Sequence, residues 1–175
     1  MSTLAGTGSQ AATAVSRLGR VTLLAMIPVN LVIVLWVWMG RIVFGVGGWF
    51  LFIFMISLVP LLLLALSVTT VLAFTQHTRP RALTTLQAWA QLFTWLTLFL
   101  FGAFCPDFGD APDSEISLLT QVFGWSQDLL DLSYSLMVGL GAAATVAYLV
   151  LLGLLVFARP PSETPSSAPA RSCRS

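Results

Sequence analysis

Four stretches of at least 19 residues contain no Asp, Glu, Lys, Arg or His: 21–39, 49–74, 83–104 and 132–157. An α-helix rises 1.5 Å per residue, so the shortest reaches about 28 Å, the thickness of a bilayer's hydrocarbon layer. In that layer every backbone N–H and C=O must be paired within the segment, which leaves the helix as the natural form of each. The rest of the composition agrees. Charged residues make up 9% of the chain and hydrophobic ones 57%, whereas a soluble domain carries roughly 25% charged residues. So few charges cannot coat a water-soluble globule of 175 residues. The expected fold is an all-α integral membrane protein with four transmembrane helices.

The first stretch is too long for a signal-peptide core and lacks a small-x-small cleavage site, so it reads as a retained span. The second would extend about 39 Å if straight. It must tilt, bend near Pro60, or emerge before its last turn. Residues 1–16 are rich in Ser, Thr, Ala and Gly, and 160–175 in Ser, Pro and Ala. Neither has an apolar period, and both read as disordered tails flanking a four-span domain over 17–159.

Orientation follows from the arginines, since the chain has no lysine. With the N-terminus inside, Arg17, Arg20, Arg79, Arg81, Arg159, Arg171 and Arg174 are cytoplasmic and Arg41 alone lies outside. The positive-inside rule then predicts both termini in the cytoplasm. Absent Lys with abundant Ala, Leu and Gly suggests a GC-rich bacterial genome, hence a multi-pass protein of the bacterial cytoplasmic membrane. A net charge of +1 points to neither a nucleic-acid partner nor an acidic substrate.

The connection between the third and fourth spans holds most of the acid. Asp107, Asp110, Asp113 and Glu115 fall within GAFCPDFGDAPDSE, residues 102–115. Oxygen ligands suit a hard cation, and these four form a candidate cation site, although their spacing matches no fixed ligand loop. Solvated loop and helix-start roles account for them without a bound ion, and the cation site is the weaker reading. Residues 114–131 follow a helical period: Ile116, Leu119, Phe123, Trp125 and Leu130 lie on one half-turn, with polar residues opposite. This predicts an extracytoplasmic amphipathic helix that lies in the interface or docks on a partner.

Inside the spans, chemistry is sparse. Ionisable groups in membrane helices usually mark proton or ion paths, and none is present. The lone histidine, His77, has no acid or nucleophile beside it in sequence, and reads as a solvated loop residue. No span offers histidines for haem ligation, and no nucleophile elbow, phosphate loop or zinc motif occurs. No cofactor or metal is called for, although an apolar groove could still take a quinone. Cys105 and Cys173 lie on opposite sides and cannot bridge within one chain; Cys105 could bridge two chains.

Two helix faces remain. Thr84, Gln87, Gln91 and Thr94 form a polar stripe on the third span, suited either to interhelical hydrogen bonds or to a polar path. Asn30 could pair with that stripe if spans one and three adjoin, or relieve the carbonyl that Pro28 leaves without a donor. Ser135, Gly139, Ala143 and Ala147 recur every four residues on the fourth span, a spacing that lets a second helix approach closely. Two functions are therefore expected: a non-catalytic accessory subunit packing against a membrane-protein partner or a second copy of itself, or a transport or channel component using the polar stripe. The residues suggest no known family.

Overall fold

The computed structural model describes residues 7–75, 82–108 and 116–157, with side chains from residue 17 onward. Helix α1 is Thr7–Met39, followed by a 3-10 turn, Gly40–Phe44. Then come α2 (Trp49–Ile56), α3 (Leu58–Thr75), α4 (Thr85–Phe104), α5 (Leu118–Phe123) and α6 (Gln127–Val156). Among the described residues there is no strand, only an isolated bridge between Asp107 and Ile116. Four helices are long and apolar enough to cross a membrane, lying within 17–44, 58–75, 85–104 and 127–156.

Several boundaries differ from those expected, each for a local reason. The segment read as an N-terminal tail contributes its residues from Thr7 to α1; Ala11, Ala12 and Ala14 are strong helix formers there. The second span is two helices. Pro60 has no N–H, and its ring crowds the carbonyl of Ile56, so the break falls one turn before the proline. Ser57 ends α2 by donating its N–H to Ile53 O at 3.0 Å, and its Oγ donates to the same oxygen at 2.6 Å.

The amphipathic helix expected over 114–131 is also broken. Its helical period runs straight through Gly124, which adopts φ +92°. That conformation suits glycine and ends α5 after six residues. Gln127 then begins α6, five residues before the expected start of the fourth span. Leu130, expected on the docking face, is instead a core residue of α6 at 1% exposure.

Helix α4 is the centre of the bundle, packed between α1 and α6. Half of its span is buried, against 17% for α3 and 22% for α6. Met26, Ala88 and Leu151 are sealed within the core. Leu24, Leu35, Leu64, Val68, Val146 and Leu149 point outward. Such an apolar exterior would be costly in water and is the natural surface for a chain solvated by lipid. A Cβ on Gly102 would approach Trp36 Cδ1 and Val37 Cα to 3.0 Å, so glycine permits the close approach of α4 to α1.

Asn30 locks three helices at mid-depth. Its Nδ2 donates to Thr70 Oγ1 of α3 at 2.9 Å, and its Oδ1 accepts from Trp95 Nε1 of α4 at 2.7 Å. The first and third spans do adjoin. Asn30 is used across helices rather than for the carbonyl left by Pro28, and its α4 partner is Trp95 rather than a member of the stripe.

Candidate functional site

The 3-10 turn brings Arg41 to the end of the bundle where α4 finishes and α2 begins. Its side chain is 1% exposed. Nη1 donates to Cys105 Sγ at 3.2 Å, and Nε lies 3.8 Å from Asp107 Oδ2. The guanidinium carbon sits 4.5 Å from the centroid of the Phe54 ring, a cation–π contact. Nε and Nη2 are buried and make no hydrogen bond.

Asp107 is 2% exposed and fully engaged. Oδ2 accepts from the Gly48 N–H at 2.8 Å, and Oδ1 from the N–H groups of Phe50 and Phe108 at 2.9 Å each. It therefore caps α2, whose first N–H groups lack partners within the helix. Phe108 O accepts from Trp49 N at 2.9 Å, completing the cap. A side chain on Gly48 would collide with that carbonyl. Burial pushes the Cys105 thiol up to about 11, with Asp107 adding to the rise and Arg41 opposing it. The thiol stays protonated at neutral pH, a poor nucleophile and a poor metal ligand.

Sequence reasoning placed Arg41 outside but gave it no partner; the signal was a single arginine at the end that collects the aspartates. Of the candidate cation ligands, Asp107 has both oxygens committed to Arg41 and backbone donors. Asp110, Asp113 and Glu115 lie outside the described residues, as do His77 and Cys173. Among the described residues no cluster of three or more His, Cys, Asp or Glu could hold a metal.

The polar stripe on α4 divides by role. Thr84 is the N-cap and forms a capping box with Gln87: Gln87 N donates to Thr84 Oγ1 at 3.3 Å, and Thr84 N to Gln87 Oε1 at 3.0 Å. Gln87 Nε2 also donates to Leu154 O of α6 at 2.9 Å. Thr94 donates to Ala90 O within its own helix at 2.8 Å. Gln91 is 0% exposed and neither side-chain atom has a partner. Three of the four are interior; only Thr84 is exposed.

The small-residue ridge on α6 winds out of the core. Ala147 is buried and Ala143 half-buried, while Ser135 and Gly139 are exposed. A Cβ at Gly139 would meet nothing within 4 Å. On the segment between α4 and α6, Ile116 and Leu119 are half-buried. Val122, Phe123 and Trp125 stand out at the tip of α5. Ser117 and Thr120 form a capping box, and Ser133 Oγ of α6 donates to Ser117 Oγ at 2.8 Å, tying α5 down.

These features define a class, an all-helical protein with four helices able to cross a membrane and its buried polar groups spent largely on the fold. No protein family, curated protein or solved structure matches the chain.

Proposed function

We propose that the chain is a non-catalytic, multi-pass accessory or structural subunit that packs against a larger complex in a bacterial cytoplasmic membrane, with both termini cytoplasmic. The observation that carries this reading is the outward face of α6. Glycine and serine at spacing four give little packing against mobile acyl chains, but allow another helix to approach closely. Gly139, with open space where a Cβ would point, is the centre of that face. The exposed Phe123 and Trp125 supply a second apolar contact at the outer end, for interfacial lipid or the same partner.

Gentle solubilisation of native membranes should yield the protein with a stoichiometric partner or as a homo-oligomer, and Gly139→Leu should release it. A monodisperse monomer without a partner would sink the proposal. Reporter fusions test the orientation: a periplasm-active reporter at the C-terminus should be silent.

The alternative, a transport or channel component working through the stripe on α4, draws on one observation, the unpartnered amide of Gln91. Against it, Gln87 is bonded to α6 and Thr94 to its own helix. Loss of flux in liposomes on Gln91→Leu, with assembly intact, would favour this reading.

A further inference from the structure

Helices α3 and α6 splay apart over α4 and leave a cleft of about 400 Å³. That lies within the roughly 300–1,000 Å³ of small-molecule sites. Leu61, Leu62, Leu98 and Phe101 form much of its wall, and its polar side chains are Thr94, Thr145 and Tyr148. Thr94 stands in the middle of α4, so these hydroxyls sit deep in the hydrocarbon if α4 spans the bilayer.

The direction of their hydrogen bonds limits the occupant. Thr94 Oγ1 donates to Ala90 O at 2.8 Å, Thr145 Oγ1 to Gly141 O at 2.9 Å, and Tyr148 Oη to Ala65 O at 3.1 Å. A hydroxyl has one proton and two lone pairs. All three protons are spent on backbone carbonyls, so the cleft offers acceptors and no side-chain donor. A carbonyl, carboxylate or phosphate finds nothing to accept from. An O–H brought to this depth finds oxygen to bond, and without it would suffer the full cost of burial in hydrocarbon.

A second cavity, of about 410 Å³, extends the cleft. The two share Leu58, Leu61, Phe101 and Gly141, and the second continues past Phe50 and Phe54. Its one hydroxyl, on Ser57, also donates to its own helix. The joined space is long, apolar and acceptor-only. We propose that it binds an apolar chain bearing a single hydroxyl, an isoprenoid-type alcohol, with the O–H directed at Thr145, the hydroxyl exposed in the cleft. A phospholipid acyl chain fits the walls but carries no donor to this depth. A neighbouring helix has its mid-span N–H groups already paired.

The test uses the full chain in phosphatidylcholine nanodiscs and a diazirine analogue of farnesol that keeps the hydroxyl. Photolabelling should map to Leu61, Leu98, Phe101 or Ala144. Unlabelled farnesol should displace the probe at about three- to tenfold lower concentration than its methyl ether, the advantage expected of one net hydrogen bond. Thr145 is exposed in the cleft, so Thr145→Val should fold normally and erase that advantage, while Thr145→Ser retains it. The proposal is overturned if alcohol and ether displace the probe equally, which marks a cleft for ordinary acyl chains. Labelling elsewhere, or a preference that survives Thr145→Val, overturns it too. So does crosslinking of the cleft to a second polypeptide, which would make the occupant a partner helix or another copy.

Discussion

The knot around Arg41 and the junction around Asn30 both bury polar atoms among apolar side chains, yet their chemistry is opposite. The knot uses full charges and lies at an end of the bundle, where the helix starts and turns supply free backbone N–H groups. Asp107 takes three of these and still faces Arg41. The junction lies midway along α4, where the backbone is already paired, and uses one neutral amide with a donor on one side and an acceptor on the other. Charge is affordable only where spare backbone dipoles exist to solvate it. Deep in the bundle, a residue that both donates and accepts can close its own circuit.

The sharpest way to break this contrast is Asp107→Ala. It leaves Arg41 as an uncompensated buried charge and removes the cap of α2, so a loss of about 3–5 kcal/mol is expected. Equilibrium unfolding in mixed micelles would read it. Asp107→Asn keeps an acceptor oxygen but loses the charge, and should fall between. If Asp107→Ala is neutral, the knot is not the anchor its geometry implies.

Asn30→Leu should cost less, about 1–2 kcal/mol, because it strands the Trp95 indole N–H but no charge, while the Thr70 hydroxyl still donates to Leu66 O. The same assay decides, and a loss as large as that of Asp107→Ala would erase the contrast. Gln91→Leu should go the other way. Its amide is sealed in the core with neither atom bonded, so exchange for an apolar side chain of similar length should leave stability unchanged or raise it by up to about 1 kcal/mol. A clear loss would mean that Gln91 has a partner.

The sequence made the helical spans legible because lipid imposes a single demand, a long uncharged run, and four such runs are present. Local chemistry set the interruptions, and only some of these could be foreseen. Pro60 marked the bend in the second span, displaced by one turn through its clash with Ile56. Gly124 was passed over because periodicity weighs side chains and ignores φ. The pairing of Arg41 with Asp107 was invisible, since it depends on two segments far apart in sequence reaching the same end of the bundle. The polar residues of α4 were visible as a stripe, but their division among an exposed cap, an interhelical bond and an unpaired amide depends on the neighbouring helices.

The last and smallest effect tests the knot without altering it. An exposed thiol titrates near 9.0, and burial beside Arg41 and Asp107 raises Cys105 to about 11. The fold therefore favours the protonated form. Its contribution is fully present below pH 9 and is lost as pH rises from about 9 through 11. Stability should not respond to this group between pH 6 and 8.5, a window in which a surface thiolate would already have begun to form. The same rise lowers the thiolate fraction at pH 8 about a hundredfold. In a Cys173→Ser background, maleimide should label folded Cys105 at least that much more slowly than the unfolded chain, burial adding to the protection. Rapid labelling of folded protein at pH 7 would mean that the knot opens readily, and with it the grip of Asp107 on α2.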